Sequence, residues 1–263
     1  MSLQEILKQY DEHERFHSPA LDIVRTETPY TVRYHVAPHR SGWITYENMS
    51  QLSPQAAEEI IKGEIDWFRG RCVNLEWKVF AHSSPSWLGE LLQKQGFEAE
   101  DPDSIMVLPL KETPSSLSQP VQHDIRSKAP GEDMGDVLRI LNGAFGGDHA
   151  RHMAVLSEEH RTHPGHLSIY VGYVEGQPVC CGWIRFPPSP FASIWGGATL
   201  PEYRGRGLYQ ALLRIRVQEA MQRDYTYVYV DAGDMSRPIV EKHGFSLLTT
   251  ASSYVYPYER FGS

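Results

Sequence analysis

The stretch Thr199-Leu200-Pro201-Glu202-Tyr203-Arg204-Gly205-Arg206-Gly207-Leu208-Tyr209-Gln210-Ala211-Leu212-Leu213 decides how this chain is read. The apolar, small-residue segment Ile194–Leu200 stops at Pro201, a turn carries two arginines and two glycines, and an amphipathic helical pattern begins near Leu208. A strand, a glycine turn and a helix N-terminus make an anion site, because orphan backbone N–H groups converge there and the helix dipole is positive. Glycines let the backbone approach the anion closely and take up positive φ. Arg204 and Arg206 add charge-assisted donors. The ligand expected is a phosphate or pyrophosphate.

The residues just past the turn exclude two common phosphate sites. A P-loop ends in Gly-Lys-Ser/Thr, whereas Gly207 is succeeded by Leu208 and Tyr209. A dinucleotide-binding turn needs a third glycine close behind, and none stands after Gly207 at that distance. An ordinary tight strand-to-helix turn would use the same two glycines, so the turn alone does not name the ligand. The longer string does more. Pro201 to Leu208, preceded by a small-residue strand, resembles the acyl-CoA pyrophosphate loop of the GNAT (Gcn5-related N-acetyltransferase) family, Arg/Gln-x-x-Gly-x-Gly/Ala, matched by Arg204 and Gly207. Tyr209 departs from it, placing a ring where a small residue is usual. The resemblance implies acetyl-CoA as co-substrate, held by Gly197, Ala198, Thr199, Arg204, Gly205, Arg206, Gly207, Leu208 and Tyr209, with Ser236 near the thiol.

The chain of 263 residues is long enough for one large domain or two small ones. A formal charge of −8 disfavours a general nucleic-acid or anionic-membrane binder, since phosphate backbones call for a basic face. Cys72, Cys180 and Cys181 are odd in number and two are adjacent, which suits a reducing cytoplasm better than a disulfide framework. Met1–Phe16 lacks the apolar core of a signal peptide, and no segment reaches membrane-spanning length. A cytoplasmic protein is expected.

Leu3, Ile6, Leu7 and Tyr10 recur at helical spacing, and Tyr30–Val36 and Gly42–Tyr46 read as strands. Ser53-Pro54 starts a helix whose buried face is Ala57, Ile60, Ile61, Ile65 and Phe68. Next come Val73–Phe80 (strand), Ser86–Gln95 (helix stopped by Gly96) and Ser104–Leu110 (strand). Lys111–Gln122 is rich in Pro and Ser and reads as a linker. The domains expected are therefore 1–113 and 122–263, joined by 114–121. Beyond the linker come a short strand over Gln122–Arg126 and a helix carrying Val137, Leu138, Ile140, Leu141 and Phe145. A polar, histidine-rich segment then runs to Pro164, ahead of a hairpin over Leu167–Phe186 and a strand from Phe191 to Leu200. A helix from Leu208 to Arg223 points Leu208, Leu212, Ile215 and Met221 inward, and Tyr225–Val230, Pro238–His243 and Ser252–Tyr256 complete a strand, helix and strand.

The chain also reads as repeating itself, with two unrelated β-α-Gly-Phe-β units as the structural alternative. Strand, turn, short helix, Lys94-Gln95-Gly96-Phe97 and strand return as strand, turn, short helix, Lys242-His243-Gly244-Phe245 and strand. The fold class expected is α/β (α+β): a mixed, mostly antiparallel GNAT-like sheet flanked by helices, in tandem. The first half is a truncated, degenerate copy, because Tyr46–Pro54 holds neither glycine nor arginine. The resemblance covers about residues 121–257, in the order β-α-(α)-β-β-β-loop-α-β-α-β.

The family's fold splays two parallel strands, here Ile194–Leu200 and Tyr225–Asp231, and the pantetheine arm enters the gap. Gly196, Gly197 and Ala198 are small, as a closely approaching ligand or a β-bulge would require. A backbone N–H near Ala198 or Thr199 would polarise the thioester carbonyl while an amine attacks it directly. The proton donor departs from the pattern: the family's Tyr falls at Val240 and its Asn at Gly233. Ser236 stands near the thiol, with helix capping as its structural alternative, and Tyr229 or Tyr254 could also serve. Asp231 is the candidate base, with Asp234 beside it and a turn role as the structural alternative. His149, His152, His160, His163 and His166 invite a zinc reading. Without neighbouring cysteines, and among alternating charges, they read as solvated loop residues, one of them open to a base role; no metal is expected. Cys180 and Cys181 sit in a strand pattern and read as core. The acceptor implied is an amine of a small molecule or peptide, with no nucleic acid, no membrane, and a homodimer as the candidate assembly. The rival reading is a non-catalytic CoA-binding sensor or interaction protein of the same fold, suggested by Val240 and Gly233.

Overall fold

The computed structural model describes residues 1–36, 41–71 and 74–257; Cys72 and Val73 lie outside them. The elements are α1 (Leu3–Tyr10), a π-helical turn (Asp11–Phe16), β1 (Val24–Glu27), β2 (Val32–Val36), β3 (Ser41–Thr45), α2 (Pro54–Phe68), β4 (Asn74–Phe80), α3 (Leu88–Lys94), β5 (Glu98–Ala99) and β6 (Asp103–Pro109). Then come a 3-10 turn (Leu110–Glu112), α4 (Ser115–Ser118), β7 (Asp124–Ser127), α5 (Gly135–Phe145), α6 (Ala150–Thr162), β8 (Leu167–Val174), β9 (Gln177–Arg185) and β10 (Phe191–Thr199). A turn (Pro201–Tyr203), α7 (Leu208–Gln222), β11 (Tyr227–Ala232), α8 (Arg237–Lys242) and β12 (Ser246–Pro257) end the chain's described part.

Two compact units share these elements: residues 1–105 with 247–263, and residues 106–246. The units therefore part at Ile105/Met106 and at Ser246/Leu247 rather than at 114–121. The expected linker is packed structure inside the second unit. Leu117 of α4 is fully buried, and Gln218 donates from α7 to the Leu117 and Gln119 carbonyls at 2.8 and 2.7 Å. Small polar residues and prolines look like a linker by composition, but one leucine in four residues is enough to dock a short helix.

The first unit carries β1-β2-β3-β4-β12 in that order, with β5 also on β12. Its core joins α2 and α3 to the sheet through Ile61, Phe68, Leu75, Trp77, Leu88 and Phe97. Ser53 caps α2 through its side chain, as Ser-Pro predicts. The parallel pair β3–β4 is in register from Ser41↔Asn74 to Ile44↔Trp77, almost the whole of β3.

The second unit carries β6-β11-β10-β9-β8-β7. One buried cluster joins α7, Leu117 and Val240 of α8 to one face of this sheet, and another joins α5 and α6 to the opposite face. The histidine-rich segment, expected as loop, is the helix α6 over 150–162, with Met153, Leu156 and His160 buried. Those three obey helical spacing, which the surrounding charges conceal. On α7 the inward face includes Leu208, Ala211, Leu212, Arg216, Val217 and Ala220. Met221, expected inward, is 38% exposed, one position off the stripe. Two features recur in both halves: α2 and α7 each span 15 residues, and Gly96 (φ +96°) and Gly244 (φ +89°) each precede a buried phenylalanine.

Candidate active site

The site belongs to β10, β11 and the start of α7. The parallel pairing of β10 with β11 runs from Phe191↔Tyr227 to Ser193↔Tyr229 and stops there. The remaining six residues of β10, Ile194–Thr199, and the last three of β11, Val230–Ala232, have no register partner on one another. The strands part where the small-residue run Gly196-Gly197-Ala198 places the gap. On its other edge β10 pairs with β9 until Trp195↔Trp183, then skips to Ala198↔Cys181. Gly196 and Gly197 thus form a bulge facing Gly182 alone.

Each glycine of the bulge has a packing reason. Gly196 has φ +61°, and a Cβ there would overlap the Trp183 ring. A Cβ on Gly197 would come within 2.7 Å of Tyr209 Cε2. The ring that departs from the family pattern is thus seated on Gly197. Burial raises the pKa of the Tyr209 phenol, so it stays protonated. Beyond the bulge the Leu200 N–H donates to the Val179 carbonyl at 2.9 Å. Strand alternation then turns the Thr199 amide to the opposite edge, toward the gap, while Ala198 pairs Cys181.

The turn is open. Among the described residues, Gly205 (φ +75°) has no atom within 4 Å of its Cβ position, and Gly207 (φ +78°), the residue preceding α7, has only His123 near, at 3.5 Å. Among the described residues, the amides of Gly205, Arg206, Gly207, Leu208 and Tyr209 donate to no other protein group. Arg204 donates through Nε to the Thr199 carbonyl (3.2 Å) and through Nη2 to the Ala144 carbonyl (3.3 Å). Arg206 donates to the Glu202 carbonyl (3.3 Å) and lies over the Tyr203 ring. Both arginines brace the turn as well as charging it. His123, unforeseen in the sequence, meets the Arg206 carbonyl through Nε2 at 3.1 Å; an isolated histidine 83 residues upstream leaves no local signal.

Asp231 is half-buried two residues past Tyr229, the last β10 partner on β11. Ser236 is half-buried ahead of α8 and makes no side-chain cap; its Oγ donates to the Gly233 carbonyl at 3.2 Å. Asp234 and Gly233 are exposed, Tyr229 and Val240 buried. Tyr254 lies in the first unit against Gly89. Of the five histidines, His152 lies over Trp183 (centroids 5.7 Å), the residue that packs on Gly196. His160 is buried, so it is no solvated loop residue. Among the described residues no three His, Cys, Asp or Glu are grouped to hold a metal. Cys180 and Cys181 are buried free thiols; burial pushes the Cys180 thiol up to about 11 and raises Cys181 too, so neither is a ready nucleophile. No described helix is long and apolar enough to cross a membrane.

Residues 134–245 match the model of the acetyltransferase (GNAT) family. No curated protein matches the chain. Among solved structures, a GCN5-related N-acetyltransferase from Kribbella flavida is 13% identical, with TM-score 0.69 over 96% of this chain and 95% of that one. One from Sphaerobacter thermophilus is 16% identical, with TM-score 0.62 over 98% and 86%. A tandem GNAT protein of the clavulanic acid biosynthesis pathway is 10% identical, with TM-score 0.59 over 87% and 78%. These likenesses agree: residues 134–245 match the acetyltransferase (GNAT) family, and the chain has the fold of GCN5-related N-acetyltransferases.

Proposed function

We propose that this protein is an N-acyltransferase that moves the acetyl group of acetyl-CoA directly onto an amine of a small molecule or peptide. One observation carries this: β10 leaves β11 after Ser193 and runs unaccompanied to a turn whose five successive amides are free. That turn fits a diphosphate, since donors and a helix N-terminus converge where no Cβ intrudes. The gap fits an extended arm that completes the backbone bonding β11 has left to β10.

Residues 106–246 carry the activity in this proposal. The parallel pair of the first unit is zipped through Ile44 and no glycine turn leads into α2, so 1–105 acts as a scaffold. The Thr199 amide and the bulge offer donors to the thioester oxygen as it gains negative charge. The amine nitrogen bonds to the acetyl carbon, the carbon–sulfur bond breaks, the nitrogen loses a proton and the thiolate gains one. Asp231 is proposed to take the first proton and Ser236 to supply the second.

Incubating the chain with acetyl-CoA and a panel of polyamines, aminoglycosides, amino acids and peptides, while monitoring free thiol, tests the proposal. Amine-dependent thiol release supports it. Tight CoA binding without turnover across the panel supports instead the sensor reading, which the buried Val240 at the donor position favours.

A further inference from the structure

Arg216 stands on the inward stripe of α7, four residues after Leu212 and four before Ala220, where an apolar side chain is expected; it is 0% exposed. A guanidinium keeps its proton even when buried, and no described carboxylate pairs with it. Its partners are three carbonyls. Nε donates to Leu212 at 2.8 Å, and Nη1 to Trp183 at 3.3 Å and to Trp195 at 3.2 Å. Nη2 is buried with no partner among the described residues.

The last two carbonyls are not arbitrary. Trp195↔Trp183 is the final pair before the β9–β10 register breaks. One nitrogen therefore bridges both strands at the lip of the bulge. Glycine makes the room: a Cβ on Gly182 would lie 2.9 Å from Nη1, and that same point is 3.5 Å from the Gly197 Cα. A buried charge with no counter-ion carries a desolvation cost that three carbonyl bonds offset only in part, so stability alone does not explain an arginine here.

Resting on the acyl-transfer reading above, we infer that Arg216 is a positioning residue for the transfer: it holds the Gly196–Gly197 bulge open and puts a fixed positive charge beneath the place where the thioester oxygen becomes an oxyanion. Bulged backbone re-aims amides. A charge in a water-poor interior acts strongly at short range and needs no reorganisation during reaction. Arg216 works through the backbone it braces; it does not touch the acyl group.

The test is steady-state kinetics of the full chain, wild type against Arg216→Met and Arg216→Lys, with acetyl-CoA and the best amine of the panel. Arg216→Met should stay folded well above the assay temperature while kcat falls by about 10- to 100-fold, just under the loss typical of a missing oxyanion donor. KM for acetyl-CoA should change less than about threefold, because ground-state binding rests on the turn. Arg216→Lys, keeping charge but not the bridge, should recover part of kcat. Unchanged kcat in Arg216→Met overturns the inference, as does a loss in which kcat, KM and melting temperature decline together. Should Arg216→Met not fold, Gly182→Ala, whose methyl displaces Nη1 with the charge retained, is read the same way: a tenfold lower kcat at unchanged KM supports the inference and an unchanged kcat overturns it. An inactive wild type defeats the acyl-transfer reading and this inference together, whereas an active wild type with an equally active Arg216→Met defeats only the inference.

Discussion

Gly207 carries a left-handed backbone (φ +78°) at the point where the free amides converge. An aspartate there adds steric strain and a negative charge against a diphosphate. Gly207→Asp should weaken acetyl-CoA binding by about 100-fold or more, near 3 kcal/mol at about 1.4 kcal/mol per tenfold. Gly207→Ala, carrying strain of about 1–2 kcal/mol alone, should fall between. Calorimetry reads both, and near-wild-type affinity for Gly207→Asp would refute the diphosphate assignment. Gly196 is tighter still, since its Cβ would enter the Trp183 ring at a positive φ. Gly196→Ala should cost about 2–4 kcal/mol in urea unfolding, combining overpacking with left-handed strain. The glycines were legible as a small-residue run. Trp183 and Arg216, which give them their reasons, were not, because each meets the bulge from another element.

Helix α6 shows how an element hides in its own charges. Glu159 on α6 accepts from Arg185 of β9 at 2.9 and 2.8 Å and from His166 Nδ1 at 3.2 Å. Burial alone would raise its carboxyl, but these bonds overcome that and hold it down at about 2, against 4.5 unperturbed. A depressed folded value means that the stabilisation is complete above about pH 4.5 and is lost as pH falls toward 2. The group contributes on the order of 3 kcal/mol at neutral pH by linkage. Glu159→Gln should be less stable at pH 7 and lose less stability than wild type between pH 5 and 2, as urea titrations at several pH values would show. Equal acid slopes would refute this. Helix α4 makes the opposite point about composition. Leu117→Ala should cost about 2–4 kcal/mol, as for any buried leucine, whereas a free linker would lose nothing.

For the whole molecule the consequence lies in where the chain is divided. Met106, Leu108, Leu110 and Leu117 belong to the core of the second unit, while β12 from Leu247 onward belongs to the first. A fragment of residues 122–263 should therefore melt without a cooperative transition, lacking one edge of its sheet and carrying a strand with nothing to pair. A fragment of 106–246 should melt cooperatively and retain CoA binding. Circular dichroism and calorimetry compare them, and a cooperative transition in 122–263 would show that β6 is dispensable. The turn at Arg204–Gly207, the helix behind it and the doubled Gly-Phe units were determined by sequence alone, because φ preference, capping and amide geometry depend on neighbours within one helical turn. Which strand completes which sheet, what packs under the bulge and whether the parallel strands part were decided only by tertiary structure. Strand pairing joins residues far apart in the chain, and a residue's spacing gives its face but not what that face meets.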